Sequence, residues 1–426
     1  MSEKEALSTE PYKGVRDFYP SEWAVVSSVF ETIRKTLHLY GYEEYNASPL
    51  ERTELYTSKT SQEIVNEQTY TFVDRGGRPV TLRPEMTPTF ARMVAAKRRE
   101  LSYPLRWYSI PNLFRYERPQ RGRLREHYQL NVDLAGLSAG EADLEILTIA
   151  SSIMRAFGSN DEDFTIAINS RELLTTACEA VNLSPEETRE YMRLLDKKNK
   201  MPADEFAVAV KEITQEDPLT LIEMNDARVA DAKKKLTDTM LTLSTRGVTN
   251  VIFDPTITRG FDYYTGMVFE VFDTAPENTR SLFGGGRYDN LITLFTGVGG
   301  DSIPCVGFGM GDVTLIDFLE THGLTPKNTK APQLYIGTPT PEDLPFAQEL
   351  AEKLRTEHSF SVLVHLSGKA LGDQIKDASK RSIPYFLIYG ADEQAKDVVQ
   401  IKTLSSGEQT EIAMSEIADF IRTGKP

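Results

Sequence analysis

LRWYSIPNLFRYERPQRGRLREHYQLNVDLAG, residues 105–136, reads as two strands joined by the loop RPQRGR. Apolar and aromatic residues fill both arms, while Pro, Gly and Arg fill the loop, which is hairpin chemistry. Arg115, Arg118, Arg121, Arg123 and Arg125 fall within eleven residues, with Glu117 as the counter-acid. On a strand, Arg121, Arg123 and Arg125 would share a face. Arg115 would lie across the hairpin from them. Guanidinium groups pair well with phosphate and carboxylate oxygens. A solubilising surface loop is the competing reading, and the shortage of counter-charge weakens it.

Working outward, residues 21–40 carry apolar side chains at helical spacing, with Ser21 as N-cap and Gly41 as the stop. YTFVDRGGRPVTLRPE predicts a second hairpin, with strands ending at Val73 and Leu82 around a turn at Asp74–Gly77. Residues 88–99 and 140–158 read as helices. Between strand and helix, TLRPEMTPTFAR (81–92) sets Glu85 between two prolines. Proline restricts the backbone, so that carboxylate is held. It suits a cationic amine, or simply an acid favoured by a helix N-terminus. From Ser170 to about Thr245 the chain is charged, helical in pattern and almost without strand signal. Strand chemistry returns in TRGFDYYTGMVFEVF (258–272), where Arg259 stands beside a glycine that permits close backbone approach. The tyrosine pair Tyr263–Tyr264 fits core packing as readily as ligand contact. After the polar stretch LTPKNTKAP (324–332), strands and helices alternate as βαβαβ and a hairpin follows around Ser406–Gly407.

The expected organisation is therefore α+β. Residues 1–170 and 246–323 form one discontinuous domain and 171–245 a helical insertion. Residues 324–332 are a linker, and 333–426 a compact α/β domain. The length of 426 residues fits roughly three domains at about 150 each. A composition with 40% hydrophobic and 26% charged residues excludes a disordered tail, a collagen and a disulfide scaffold. Cys178 and Cys305 form no CxxC, and the five histidines show no metal-ligand spacing, so no metal site is expected. The polar start MSEKEALSTEPYKG and the absence of long apolar runs point to a cytoplasmic protein with no membrane contact.

The net charge of −15 argues against a nucleic-acid partner. Residues 92–125 contradict it locally, with ten Lys/Arg against Glu100 and Glu117. GGGRYD (284–289) has neither P-loop nor dinucleotide-fold spacing. HExxH, GxSxG and kinase signatures are absent.

These segments, in this order, resemble histidyl-tRNA synthetases, a family of class II aminoacyl-tRNA synthetases. KGVRDFYP (13–20) is similar to the family's N-terminal signature and GYEEYNASPLERTELY (41–56) to motif 1, with Pro49 at the dimer-interface proline. YTFVDRGGRPVTLRPEMTP and FRYERPQRGRLREHYQL resemble motif 2. TRGFDYYTGMVFE and GGGRYDNL resemble the two histidine-specific signatures, and the C-terminal domain is similar to an anticodon-binding domain. The resemblance implies a class II antiparallel sheet of seven-stranded type flanked by helices, and a homodimer. It also implies Mg²⁺-dependent use of ATP to load L-histidine onto tRNA-His.

Under the same resemblance, Arg115 and Arg259 are the catalytic arginines. Glu85 and Thr87 bind the histidine amino group, and Gln129, Asp133, Tyr263 and Tyr264 form the histidine pocket. Arg115, Glu117, Arg123 and Arg125 bind ATP, and Gln120 approaches the tRNA acceptor end. Three departures stand out. Thr314, in GMGDVTL, replaces the motif 3 arginine that grips the ATP γ-phosphate, which leaves Arg123 or Arg125 to carry that contact. Asp133 replaces a glutamate and must reach the imidazole through a water or a shifted strand. His127–Tyr128 replaces Phe-His. The runner-up reading is the non-catalytic paralogue that regulates ATP phosphoribosyltransferase; it lacks the anticodon domain.

Overall fold

The computed structural model describes residues 7–57, 68–120, 122–198, 201–259, 263–297, 302–326 and 332–425. Arg121 and Gly260, the glycine beside Arg259, lie outside them, as does most of the 324–332 stretch. The chain divides into two compact units, Met1–Pro326 and Lys327–Pro426.

The first unit contains, in chain order, β1 (Glu43–Glu44), β2 (Leu50–Arg52), β3 (Tyr70–Val73), β4 (Pro79–Leu82), β5 (Leu105–Ser109), β6 (Asn112–Phe114), β7 (Glu126–Ala135), β8 (Phe164–Ser170), β9 (Val251–Phe253), β10 (Met267–Asp273), β11 (Ser281–Arg287) and β12 (Cys305–Gly311). The main sheet runs β1-β5-β7-β12-β11-β10-β8-β9, and β6 also pairs with β7. From β5 to β8 every pairing is antiparallel, while the short strands β1 and β9 extend the edges in parallel. The antiparallel run matches the expectation, and the two edge strands widen the sheet beyond it. β2, β4 and β3 form a separate antiparallel sheet.

The opening hairpin is corrected in two places. Its first arm is broken at Ile110–Pro111, because Pro111 has no N–H to give the ladder. Its carbonyl still accepts from Gln129 N at 3.0 Å, and β5 and β6 both pair with β7. The second arm begins only at Glu126, so Arg123 and Arg125 belong to the loop and strand alternation does not order them. Gly122, at φ +76°, turns that loop, and Gln120 and Arg123 bridge across it.

Helices Pro20–Leu39 and Glu141–Ala156 cover one sheet face. Val29, Phe30, Ile33 and Leu37 pack with Ile146, Ile149 and Ile153 against Leu130, Val132 and Leu134 of β7. Tyr19, not Ser21, caps the first helix: its N–H donates to Glu22 Oε2 at 2.7 Å, and Pro20 takes the first turn, where no N–H is needed. Alternation turns Gln129, Asn131 and Asp133 of β7 to the opposite face. There, helix Thr87–Lys97 buries Phe90, Ala91 and Val94 with Tyr263, Tyr264 and Tyr288.

All regular structure described between 171 and 245 is helical, from Arg171–Ala180 to Ala230–Thr245. Ser170 and Ser184 cap two of these helices. Their buried Leu173, Tyr191, Leu219 and Val229 belong to the same apolar cluster as the sheet. The second unit is a five-stranded sheet, β13 (Leu334–Gly337), β14 (Val362–Val364), β15 (Tyr385–Ile388), β16 (Val398–Thr403) and β17 (Gln409–Ala413), ordered β14-β13-β15-β16-β17. The first three strands are parallel and the last two close as an antiparallel hairpin, as the βαβαβ pattern predicts. Among the described residues no helix is long and apolar enough to cross a membrane.

Candidate active site

The polar face of the main sheet opens into a cavity of about 950 Å³. Arg115, Glu117, Arg123, Gln129 and Arg259, all singled out from the sequence, line it. Arg115 leaves the end of β6, its N–H bonded to the Arg125 carbonyl at 2.9 Å. Among the described residues its side chain makes one hydrogen bond, from Nε to the Pro84 carbonyl at 2.8 Å. That bond aims the guanidinium while leaving its two terminal nitrogens for a ligand. Arg123 faces Glu117 at 3.7 Å across the loop.

Arg259 approaches from the other wall. Its backbone sits at φ +58°, a left-handed conformation that costs a non-glycine residue energy. Arg171 holds that strain in place, donating to the carbonyls of Thr258 and Arg259 at 2.9 Å each. The guanidinium donates to Glu270 Oε1 at 2.8 Å. Burial works against its charge, yet Tyr264 and Glu270 outweigh burial and hold the pKa above the ordinary arginine value. Gly284 gives it room: a Cβ there would stand 2.9 Å from Arg259 Nη1.

A second group lies behind the cavity wall. Glu85 is buried just before helix Thr87–Lys97 and accepts from the Tyr263 hydroxyl at 3.2 Å. Tyr263 packs on Tyr264 at 4.8 Å and on Tyr288 at 5.8 Å. The Tyr288 hydroxyl donates in turn to Asp133 Oδ1. Burial pushes the Asp133 carboxyl up to about 7, although the Tyr288 bond favours the ionised form. Asp133 Oδ2 is buried and has no hydrogen-bond partner among the described residues. Thr87 opens its helix, half-buried near Tyr263. His127 borders the cavity, and burial, with Arg115 and Arg16 beside it, lowers its pKa to about 3.

Other expected residues lie elsewhere. Arg125 does not line the cavity. Its guanidinium stacks on Tyr116 at 4.0 Å and donates to Tyr12 at 3.0 Å. Gln120 is exposed at the loop. Thr314 does line the cavity, with its hydroxyl donated to the Leu282 carbonyl at 2.6 Å. The neighbouring Asp312 is buried against Arg16 of KGVRDFYP at 2.7 Å, which ties the N-terminal segment to the start of helix Asp312–Thr321, just after β12. Sequence reading missed Glu270 and Tyr288. An acid inside the apolar strand MVFEVF was the available signal for the first. Tyr288 gave none, since its partner Asp133 is remote in sequence. Among the described residues no cluster of three or more His, Cys, Asp or Glu side chains could hold a metal ion.

Comparison with known proteins adds an independent line. Residues 14–313 match the profile of the histidyl-tRNA synthetase family and residues 328–424 that of an anticodon-binding domain. A histidine–tRNA ligase of Leptospira biflexa is 41% identical, covering 98% of each chain. One from Thermoplasma volcanium is 34% identical, over 97% of this chain and 99% of its own. In fold, the chain resembles the histidyl-tRNA synthetase of a Nostoc species, with a TM-score of 0.82 at 24% identity, covering 99% of this chain and all of that one. With these matches, the antiparallel sheet and its polar cavity are those of a class II aminoacyl-tRNA synthetase. Within that class, the chain belongs to the histidyl-tRNA synthetase family.

Proposed function

We infer that the chain joins L-histidine to tRNA-His in two steps, with Mg²⁺-bound ATP as co-substrate. In the first step a histidine carboxylate oxygen attacks the α-phosphorus, and pyrophosphate leaves as histidyl-adenylate forms. In the second step the 3′-terminal ribose hydroxyl of tRNA attacks the adenylate carbonyl, and AMP leaves. Arg115 and Arg259 stabilise charge as it builds on the α-phosphate oxygens. Glu85 and Thr87 hold the amino group. Asp133 accepts the imidazole N–H, with Gln129, Tyr263 and Tyr264 shaping the pocket. A ligand lacking that N–H leaves a buried carboxylate unpaired, which is the basis of selectivity. Glu117 and Arg123 hold ATP, and Gln120 meets the acceptor end. Residues 171–245 act as a module inserted in the catalytic domain, and residues 333–426 bind the anticodon.

The observation that carries this reading is the convergence of Arg115 and Arg259 on one cavity, with Arg115 only partly engaged. Homodimerisation in the cytoplasm completes it. Exposed Leu50, Phe72 and Val73 on the small sheet, next to the motif 1 segment, support the dimer. The regulatory-paralogue reading is weaker, because residues 328–424 match an anticodon-binding domain. Histidine-dependent ATP–pyrophosphate exchange, followed by histidylation of a tRNA-His transcript, tests the proposal. Absence of exchange together with binding to a phosphoribosyltransferase would sink it.

A further inference from the structure

We propose that Arg280, immediately before β11, holds the terminal phosphates of ATP in place of the arginine that Thr314 has displaced. This rests on the ATP-dependent reading of the cavity given above. Thr314 cannot make the contact itself. It is neutral, and its hydroxyl is spent on the Leu282 carbonyl at 2.6 Å. Arg280 lines the same cavity and stands on the same loop glycine as Thr314. A Cβ on Gly122 would lie 3.6 Å from Thr314 Cγ2 and 3.9 Å from Arg280 Cδ. The lost cation and this one therefore flank one point in the wall.

Among the cavity's arginines Arg115 and Arg280 have no ion-pair partner in the described residues, and Arg115 is already assigned to the α-phosphate. Arg123 faces Glu117, Arg259 is paired with Glu270, and Arg125 is stacked on Tyr116 outside the lining. Arg280 is exposed. The spacing fits a polyphosphate. Arg259 lies against Gly284 on β11, and Arg280 stands four residues earlier in the chain, beyond a register shift at Ser281–Phe283, so at most about 13 Å away, the length of four fully extended residues. An arginine reaching back from there ends near the outer phosphates while Arg259 serves the α-phosphate.

Histidine-dependent pyrophosphate exchange, run without tRNA, tests this with Arg280→Ala, Arg280→Lys and the double variant Arg280→Ala/Thr314→Arg. In Arg280→Ala the ATP KM should rise about 10- to 100-fold, as for loss of a charge-assisted hydrogen bond. The histidine KM and inhibition by AMP, which lacks the outer phosphates, should stay within about threefold of the parent, well below that effect. Lysine should restore part of the loss, and Thr314→Arg should restore it from the other side. An unchanged ATP KM overturns the proposal. So does an equal weakening of ATP and AMP, or a defect confined to the tRNA KM in aminoacylation, which would assign Arg280 to the acceptor strand. Absence of exchange in the parent enzyme would instead overturn the functional reading beneath it.

Discussion

Arg259 Nη1 lies 2.8 Å from Glu270 Oε1, so the guanidinium on the far wall of the cavity is held by a neighbouring strand. Tyr264 and this pair keep the cation charged against burial, and the pair fixes its direction, although the backbone beneath it is strained. Glu270→Gln keeps the shape and removes the charge. Misplacing a catalytic group by about 1 Å can cost about 10²-fold in rate. The exchange kcat of Glu270→Gln should therefore fall about 10- to 100-fold, with the histidine KM little changed. A variant with parental kcat would show that Arg259 needs no such support.

Arg115 and Arg259 are asked to share the charge of one phosphorus. Removing either to alanine should slow exchange by about 10²–10³, the usual cost of one oxyanion-stabilising donor. The double variant should fall short of the product of the two, because the groups act on the same oxygens. Full additivity, measured in single-turnover adenylate formation, would instead assign them to separate steps.

Asp133 provides a pH test. Its folded pKa, about 7, lies above the ordinary carboxylate value because the group is buried. A raised folded pKa contributes stability below the unfolded pKa, and that contribution is lost as pH rises through the folded value. Between about pH 4 and pH 7 the parent should therefore lose stability relative to Asp133→Asn. Melting temperatures of the two proteins across this range should move apart in favour of the variant. Parallel curves would mean that Asp133 is ionised in the fold throughout.

His127 runs the other way. Its folded pKa is lowered to about 3, so the ring is neutral in the fold and takes up a proton on unfolding in acid. Its contribution is present above the unfolded pKa of about 6.5 and is lost as pH falls toward the folded value. His127→Phe should therefore resist acid better than the parent between pH 6 and 4. Equal acid transitions would show that His127 is solvated and free to protonate.

The burial of Asp133 and His127 marks where sequence stops being informative. Arg115 and Arg259 could be found in the chain, because an arginine cluster beside a turn and an arginine beside a glycine are local signals. The β3–β4 hairpin was legible through its turn residues. The antiparallel main sheet was expected only from the family resemblance, because pairings such as β7 with β12 join strands remote in sequence. Arg125 was legible as a cation but not as a stacked one, since Tyr12 and Tyr116 reach it only after the loop has folded. Nor could spacing reveal that Asp133 would be closed off by Tyr288, a residue of another strand. Burial and long-range pairing set both outcomes, and neither leaves a period in the sequence.

Gly307 joins these threads. A Cβ at this position would stand 2.6 Å from Asp133 Oδ1 and 2.3 Å from the Val132 carbonyl, closer than real Cβ contacts come. The carboxylate of Asp133 therefore occupies space that only a glycine on β12 leaves open. Gly307→Ala must push either the β7 backbone or the Asp133 side chain away. Overpacking of this kind costs about 1–3 kcal/mol, so the melting temperature should drop. Because the displaced group is the one expected to read the imidazole, the histidine KM should rise as well, with the ATP KM nearly unchanged. A variant that lost stability but kept its histidine KM would separate the packing of β7 on β12 from substrate selection. It would move the imidazole contact to Tyr263 or Tyr264.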